Sequence, residues 1–444
     1  MQDNRLADRE VILLGIGHTN AHILRMWRMH RPPNTRLTCV SNFPLVTYSG
    51  MLPGVLAGQY TEEEMQIDLV RLCAANGARL IVGDVTGLDG ESLTLEFADR
   101  PPLPFDVLSV GIGSLIRPVR SEVENEIESA QRILVKPMQT LLARIRRQLS
   151  ALPTASQSVQ RRVAIVGAGA GGFEVAMCVG EFLKRERPGE TWEAVLMSGA
   201  AEILPDFGAS TRRRAEQALE RGGVVLRTGC RVESVSDSGF CLDNGESLAV
   251  DLGLWASGAT SSPLLSELGL PVDSRGFLTV DEHLMSTSGL PVFAVGDAAS
   301  LPFEHVTKAG VYAVREGPIL WKNIQRTLDQ RPLVPYRPQH DFLRLLNTGD
   351  GRAIAQYKGF AITSKWAWKL KDRIDTVFME KYQQYEPMKM SDRPMLDAEE
   401  EMRCLGCGGK IGGSVLQRVL KQLRPYERQE TIKGIESGGD DAAV

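Results

Sequence analysis

One stretch, Arg161 to Glu174, constrains this chain more than any other. It reads RRVAIVGAGAGGFE: a short apolar run (Val163 to Val166), a glycine-rich turn, and residues that begin a helix. The turn Gly167-Ala168-Gly169-Ala170-Gly171-Gly172 satisfies G-x-G-x-x-G between a strand and a helix, the context in which the pattern has meaning. Gly167 permits the tight turn, Gly169 lets a pyrophosphate approach the backbone, and Gly172 lets helix and strand pack closely. The helix N-terminus then offers unpaired N–H groups and a partial positive charge to phosphates. For one such stretch the plain alternative is a strand–turn–helix without a ligand. The chain carries a second copy.

Val11 to Leu14 is again a short apolar strand. Gly15-Ile16-Gly17-His18-Thr19-Asn20 follows, then a helical stretch to about His30, with Asn20 where the third glycine would stand. The strand after each turn (Arg36 to Val40, Trp192 to Met197) would ordinarily end in an acid that binds a ribose hydroxyl. Here Ser41-Asn42 follows the first and Ser198 the second. At Ser198 no acid is present to repel a 2′-phosphate. FDVLSVGIGS (Phe105 to Ser114) and DLGLWASG (Asp251 to Gly258) are two further strands running into glycines, Gly113 and Gly258. Such ends let backbone pass close to a ligand along the top of a parallel sheet. The internal duplication argues for two dinucleotide-binding domains.

LPVFAVGDAA (Leu290 to Ala299) puts Gly296-Asp297 at a strand end, where an acid can accept hydrogen bonds from sugar-alcohol hydroxyls. In isolation Asp297 also reads as a surface turn residue. A helix from Lys308 to Leu328 is predicted next, beginning Thr307-Lys308-Ala309-Gly310, with its dipole available to an electron-rich ring. Arg212, Arg213 and Arg214 group on the first turns of a helix over Ala209 to Arg221, as a solvated face or a 2′-phosphate clamp. Between the two halves a charged helix is predicted over Lys136 to Leu149, followed by a Ser/Gln/Thr/Pro-rich linker.

Composition narrows the class. At 444 residues, and about 150 residues per domain, the chain calls for roughly three domains. A net charge of −4 gives no electrostatic reason to expect nucleic acid. No apolar run reaches the length of about 18 residues that a membrane-spanning helix needs. The polar start, MQDNRLADRE, lacks the apolar core of a signal peptide. Seven scattered cysteines form no disulfide framework, so a reducing cytoplasm is the expected location.

GIGHTN, FDVLSVGIGS, GAGAGG, DLGLWASG and VFAVGD, in that order, resemble the two-dinucleotide-domain flavoproteins of the pyridine nucleotide-disulfide oxidoreductase superfamily. The resemblance covers about residues 9 to 330. It is nearest to the type II NADH dehydrogenase and sulfide:quinone oxidoreductase branch, because no C-x4-C or C-x2-C pair lies between residues 9 and 400 and disulfide-reducing branches need a dithiol beside the flavin. It implies an α/β fold: two Rossmann-like FAD/NAD(P)-binding domains with a small α+β C-terminal extension. Residues 9–120 and 286–330 would bind FAD, with Gly15, Gly17 and Asn20 at its pyrophosphate. Asp297 would contact the ribityl chain and pyrophosphate, and Lys308, Ala309 and Gly310 would lie near the isoalloxazine. Residues 155–285 would bind NADH or NADPH through Gly167, Gly169 and Gly172, with Glu174 at the nicotinamide side. Ser41 and Ser198 depart from the family's acids. The implied activity is NAD(P)H oxidation through FAD to a small-molecule electron acceptor.

Residues 331–385 form an extension with a predicted helix from Trp366 to Lys381. Its stripe of Trp366, Leu370, Ile374, Val377 and Phe378 is spaced for one helical face, with Lys365, Lys369, Lys371 and Arg373 nearby. A core or homodimer-interface helix is one reading; a helix lying on the inner face of a membrane beside a quinone site is the other. After a linker at 386–402, residues 403–444 contain RCLGCGGKIGGSVLQRVLKQL and end GIESGGDDAAV. This segment resembles the beginning of selenide, water dikinase (selenophosphate synthetase), and the whole chain resembles the N-terminal half of fusions between the two proteins. The resemblance implies that Cys407 and Lys410 match a catalytic Cys-x-x-Lys, and that Asp441 matches a ligand of Mg, were the synthetase part complete. Gly409 stands where many members have cysteine. The tail would supply reduced selenium to a selenophosphate synthetase, or only dock one. Cys404-x-x-Cys407 as half of a zinc site has no second pair.

Overall fold

The computed structural model describes residues 8–117, 129–154, 159–236, 238–303 and 306–385. Two five-stranded sheets carry the chain, and every pairing within them is parallel. From one edge, the first runs Val292–Ala294, Val107–Val110, Arg9–Leu14, Thr35–Ser41, Arg79–Val82. The second runs Ile133–Leu134, Leu252–Trp255, Gln160–Val166, Thr191–Met197, Val225–Arg227. The inner stretches of the two central strands, Val11–Leu14 and Val163–Val166, are apolar because parallel sheets are covered on both faces. Val11 and Leu13 meet Ile23, Leu24 and Trp27 of the His18–Met29 helix, whereas Ile12 and Leu14 meet Phe277 and Leu278 on the other face.

The duplication extends to register. Leu14 lies opposite Val40 and Val110; Val166 lies opposite Met197 and Trp255. Each half also sends out a three-stranded antiparallel excursion between its third strand and the strand that returns to the centre. These are Val85–Asp89, Thr94–Phe97, Leu103–Pro104 in the first half and Val232–Ser236, Gly239–Leu242, Ser247–Ala249 in the second. The halves touch through equivalent segments: Leu115–Ile116 pairs antiparallel with Ala259–Thr260. The α/β fold inferred from the motifs is the one observed.

Some boundaries differ. The helix expected from Lys136 starts at Leu141, after a 3-10 turn at Met138–Thr140. Pro137 has no N–H and biases the residue before it away from helix, which frees Lys136 for other contacts. The helix expected from Lys308 starts at Gly310, with Ala309 as its N-cap. A third sheet, Arg344–Asn347, Ala353–Tyr357, Phe360–Ser364, is antiparallel and leads into a helix over Lys365–Glu380. That helix is inverted relative to a core helix. Its buried positions are Ala367, Lys371, Asp375 and Met379, while Trp366 (79% exposed), Leu370, Ile374 and Val377 face outward. No helix among the described residues is long and apolar enough to cross a membrane.

Candidate functional site

The two glycine turns have the same construction. Gly15 (φ 78°) and Gly167 (φ 110°) take left-handed backbone that favours glycine. Their amides bond Val40 O (2.8 Å) and Met197 O (2.9 Å), the ends of equivalent strands. A Cβ on Gly15 would stand 2.7 Å from Ile112 Cα, and one on Gly167 2.7 Å from Ser257 Cα.

At the third position the copies diverge. A Cβ on Gly172 would collide with Gly167 O, so this helix starts hard against its own turn. In the first copy, Asn20 bonds the equivalent carbonyl. Its Nδ2 donates to Gly15 O (2.7 Å) and its Oδ1 accepts from Ser109 Oγ (2.7 Å). Asn20 is fully buried, so its amide shapes the turn from inside the core.

Both turns open into helices that suit an anion. Gly17 caps His18–Met29 and Gly169 caps Ala170–Glu186, each with extended backbone, no side-chain cap and no acid in the first turn. First-turn N–H groups therefore keep their free donors and partial positive charge. A Cβ on Gly169, Gly113 or Gly258 would meet nothing within 4 Å, so these three backbones border open space. Ser41 and Ser198 are buried and close their own loops. Ser41 Oγ donates to Phe43 O at 2.9 Å, and Ser198 Oγ accepts from Ala200 N at 3.2 Å.

A third uncapped N-terminus, that of Gly310–Leu328 behind Ala309, meets the first. The ring of His18 would lie 3.8 Å from a Cβ on Gly310. Burial holds this imidazole below its usual pKa, against the pull of Asp297. Asp297 follows the edge strand and accepts from Ser114 Oγ (2.8 Å) and Lys136 Nζ (3.2 Å), while Lys136 also donates to Ser114 Oγ (2.6 Å). Burial would raise the Asp297 carboxyl, but Lys136 and these hydrogen bonds outweigh it and hold it below the ordinary value. Below Asp297, buried Glu316 accepts from Gly296 N (2.6 Å) and Thr19 Oγ (3.4 Å), and burial pushes its pKa up to about 7. Lys308 donates to Ala299 O and lies 4.0 Å over the Phe277 ring; burial brings its pKa down to about 8. Gly296, Asp297, Lys308, Ala309 and Glu316 line one cavity of about 340 Å³.

Glu174, on the second glycine helix, faces a group of residues that the sequence did not connect. Its Oε1 accepts from Asn347 N (2.7 Å), and burial pushes its pKa up to about 7. Lys371 Nζ donates to Asp375 Oδ2 (2.6 Å) and Gly50 O (2.7 Å), and Tyr48 OH donates to Asp375 Oδ1 (2.9 Å). Burial would lower Lys371, but the charges of Glu174 and Asp375 carry its pKa upward and keep the ammonium. Tyr48 stacks on Phe378 (4.7 Å) and packs edge-on to His18 (5.4 Å), which joins this group to the first glycine helix. One turn after Glu174, Cys178 is fully buried, and burial together with the Glu174 charge keeps its thiol protonated.

The arginine run does not act as a unit: Arg212 donates to Phe207 O (2.6 Å) and pairs with Glu202 (3.2 Å), while Arg213 is exposed. Lys136, Glu316, Tyr48, Lys371 and Asp375 carried no motif signal; only their fold neighbours make them part of the site. Cys407, Lys410 and Asp441 lie outside the described residues.

Two sheets of one design, each leading through a left-handed glycine into a glycine-capped helix N-terminus, have the construction of a two-dinucleotide-domain protein. The sequence profile of the pyridine nucleotide-disulphide oxidoreductases matches residues 37–322, and the chain belongs to that family. It is 32% identical over 203 residues to an NADH dehydrogenase-like protein of Mycobacterium tuberculosis, covering 44% of this chain and 50% of the relative. The chain thus spans about half the length of that relative. It is 26% identical over 337 residues to the demethylphylloquinone reductase NdbB of Synechocystis, covering 73% of this chain and 80% of the relative. Among solved structures, the sulfide:quinone oxidoreductase of Aquifex aeolicus superposes with a TM-score of 0.69 at 14% identity, covering 86% of this chain and 93% of that one. NDH2 from Plasmodium falciparum in complex with NADH gives 0.67 at 15% identity, covering 85% and 99%. At these identities the structural likeness is one of fold.

Proposed function

We propose that the chain is an FAD-dependent NAD(P)H oxidoreductase that works without a redox disulfide and delivers electrons to a quinone-type acceptor. The observation that carries this is the duplication itself: two turns equal in register, left-handed glycine and uncapped helix, one for each dinucleotide. Bound FAD supplies hydride acceptance and onward electron transfer. In this reading residues 9–120 and 286–330 hold FAD. Gly15, Gly17 and the N-terminus of His18–Met29 take its pyrophosphate, and Gly113 and Asp297 take the sugar-alcohol chain. The uncapped N-terminus behind Lys308, Ala309 and Gly310 stabilises negative charge beside it. Residues 155–285 hold the nicotinamide coenzyme through Gly167, Gly169, Gly172 and Gly258, with Ser198 at the adenosine ribose. Glu174, balanced near neutral pH, positions the nicotinamide side and is able to exchange a proton there. Among the described residues the cysteines are free.

A quinone acceptor accords with the outward apolar face of residues 331–385 as a face that lies on the membrane rather than as the quinone's own binding site. Phe360 (84% exposed), Ile362 and Trp366 stand out there, beside Lys358, Lys365, Lys369 and Arg373. An apolar face with a basic rim suits the surface of an anionic membrane, where apolar quinones reside. The similar proteins named above include a demethylphylloquinone reductase and a sulfide:quinone oxidoreductase, which supports the assignment. Steady-state oxidation of NADH or NADPH by a soluble quinone analogue tests it. Turnover that requires bound flavin is the expected result; flavin-loaded protein that oxidises neither coenzyme refutes the reading.

The motif RCLGCGGK…GGDDAAV favours a second reading, in which the same flavoprotein serves selenium metabolism and residues 403–444 begin, or dock, a selenophosphate synthetase. It predicts NAD(P)H-dependent reduction of a selenium compound that requires Cys407. Full activity in Cys407→Ser removes the tail from the reaction, and failure of the protein to copurify with a synthetase counts against docking.

A further inference from the structure

The rims of the two dinucleotide-type sites carry opposite charge. Ser41 and Ser198 each follow the residue (Val40, Met197) that pairs with the end of the central strand. The carbonyl of each accepts an amide from the chain leaving the third strand: Gly83 N to Ser41 O at 3.1 Å, Cys230 N to Ser198 O at 3.2 Å. The next residue therefore occupies the same place beside each strand end. It is Asp84 in the first copy and Arg231 in the second. Asp84 is exposed and takes the amide of Asn42, the residue after Ser41. Arg231 is also exposed, and its Nε would lie 3.5 Å from a Cβ on Gly199, the residue after Ser198.

The guanidinium of Arg231 makes no ion pair among the described residues. Asp243 Oδ1 accepts the Arg231 backbone N–H (3.0 Å), Glu246 pairs with Arg227 (2.7 Å), and Glu202 pairs with Arg212 (3.2 Å). Gly199 leaves the space beside the guanidinium clear. A carboxylate at this place accepts from a ribose 2′-hydroxyl and repels a 2′-phosphate, whereas an arginine accommodates the phosphate with charge-assisted hydrogen bonds. Ser198, short and neutral, presents no opposing charge.

From this reversal we infer that the second site selects a 2′-phosphorylated adenine dinucleotide, NADPH over NADH, and that Arg231 is the residue that selects it. The inference rests on the proposal that this site binds a nicotinamide coenzyme. The first site, with Asp84, takes an adenosine whose 2′-hydroxyl is free, as FAD requires.

Calorimetric titration of the flavin-loaded protein with 2′,5′-ADP and with 5′-AMP tests this without depending on turnover. The expected result is 2′,5′-ADP bound at least about tenfold more tightly than AMP. Arg231→Ala should erase that difference while leaving AMP affinity unchanged, and Ser198→Glu should invert it. Reduction of the flavin by NADPH should then follow the same order over NADH in each protein. Equal binding of the two fragments by the wild type overturns the NADPH preference, and an Arg231→Ala protein that keeps the gap overturns the assignment of Arg231. Failure to bind either fragment, together with a flavin that neither coenzyme reduces, overturns the coenzyme site itself and this inference with it.

Discussion

Gly169→Ala separates a site glycine from a folding glycine. Gly169 has φ −73° and ψ −177°, extended backbone that any residue adopts, and a Cβ built on it meets nothing within 4 Å. Alanine there meets no strain; the gain of about 0.4–1 kcal/mol from restricting the unfolded chain is offset by a loss of about 0.5–1 kcal/mol because alanine is a poorer N-cap than glycine, so stability should change little. The added methyl nevertheless fills the space through which a pyrophosphate reaches the helix N-terminus. The expected loss of nicotinamide-nucleotide affinity is at least about tenfold, or about 1.4 kcal/mol. Gly167→Ala is the contrast. At φ 110°, with a Cβ 2.7 Å from Ser257 N and Cα, it destabilises the protein even without ligand. Thermal unfolding of both variants, followed by nucleotide titration of Gly169→Ala, provides the readout. A Gly169→Ala protein that binds nucleotide like the wild type, or that is destabilised without ligand as much as Gly167→Ala, refutes the reasoning.

Three further outcomes follow from the Glu174 group and the outer face. Glu174 has its pKa raised from 4.5 to about 7 in the fold, so its stabilising contribution is present below pH 4.5 and lost as pH rises through 7. Glu174→Gln, which stays neutral, should unfold at a temperature less dependent on pH between about 5 and about 8, and should lose any step near neutrality in the pH profile of coenzyme oxidation. Lys371→Ala leaves Asp375 and Glu174 without their shared ammonium and should cost about 3–5 kcal/mol in denaturant unfolding; Lys371→Met with Asp375→Leu should recover most of it. Trp366→Glu combined with Phe360→Ser should abolish pelleting with anionic liposomes while leaving soluble-quinone turnover intact. Unchanged pelleting would remove this face from the membrane reading.

What was legible in the sequence is what is written locally. Gly15 and Gly167 are forced by backbone conformation at their own positions, and Gly172 by contact within its own turn, so a motif reports them. The duplicated sheet order followed because strand, turn and returning strand recur in the same sequence. Charges brought in by the fold were not legible. Lys136 reaches Asp297 across 161 residues, and it read as part of a charged helix because only the start of that helix at Leu141 releases it. Asp84 and Arg231 became comparable once equivalent amides were seen on Ser41 O and Ser198 O. The apolar periodicity of 366–378 revealed a stripe but not its direction. In the structure Trp366, Leu370, Ile374 and Val377 of the stripe face outward and Phe378 turns in against Tyr48, because the opposite side of the helix is held by Lys371 and Asp375 against Gly50 and Tyr48. Asn20 read as a substitute phosphate glycine, yet its amide satisfies the turn from within.

The central claim, that one glycine turn holds a flavin and the other delivers hydride to it, is tested most directly by anaerobic addition of NADPH to the purified flavoprotein. The account predicts stoichiometric bleaching of the oxidised flavin's visible absorbance, with Gly169→Ala slowed through weaker coenzyme binding. Flavin that stays oxidised with both NADPH and NADH, in protein shown to be folded, would contradict it.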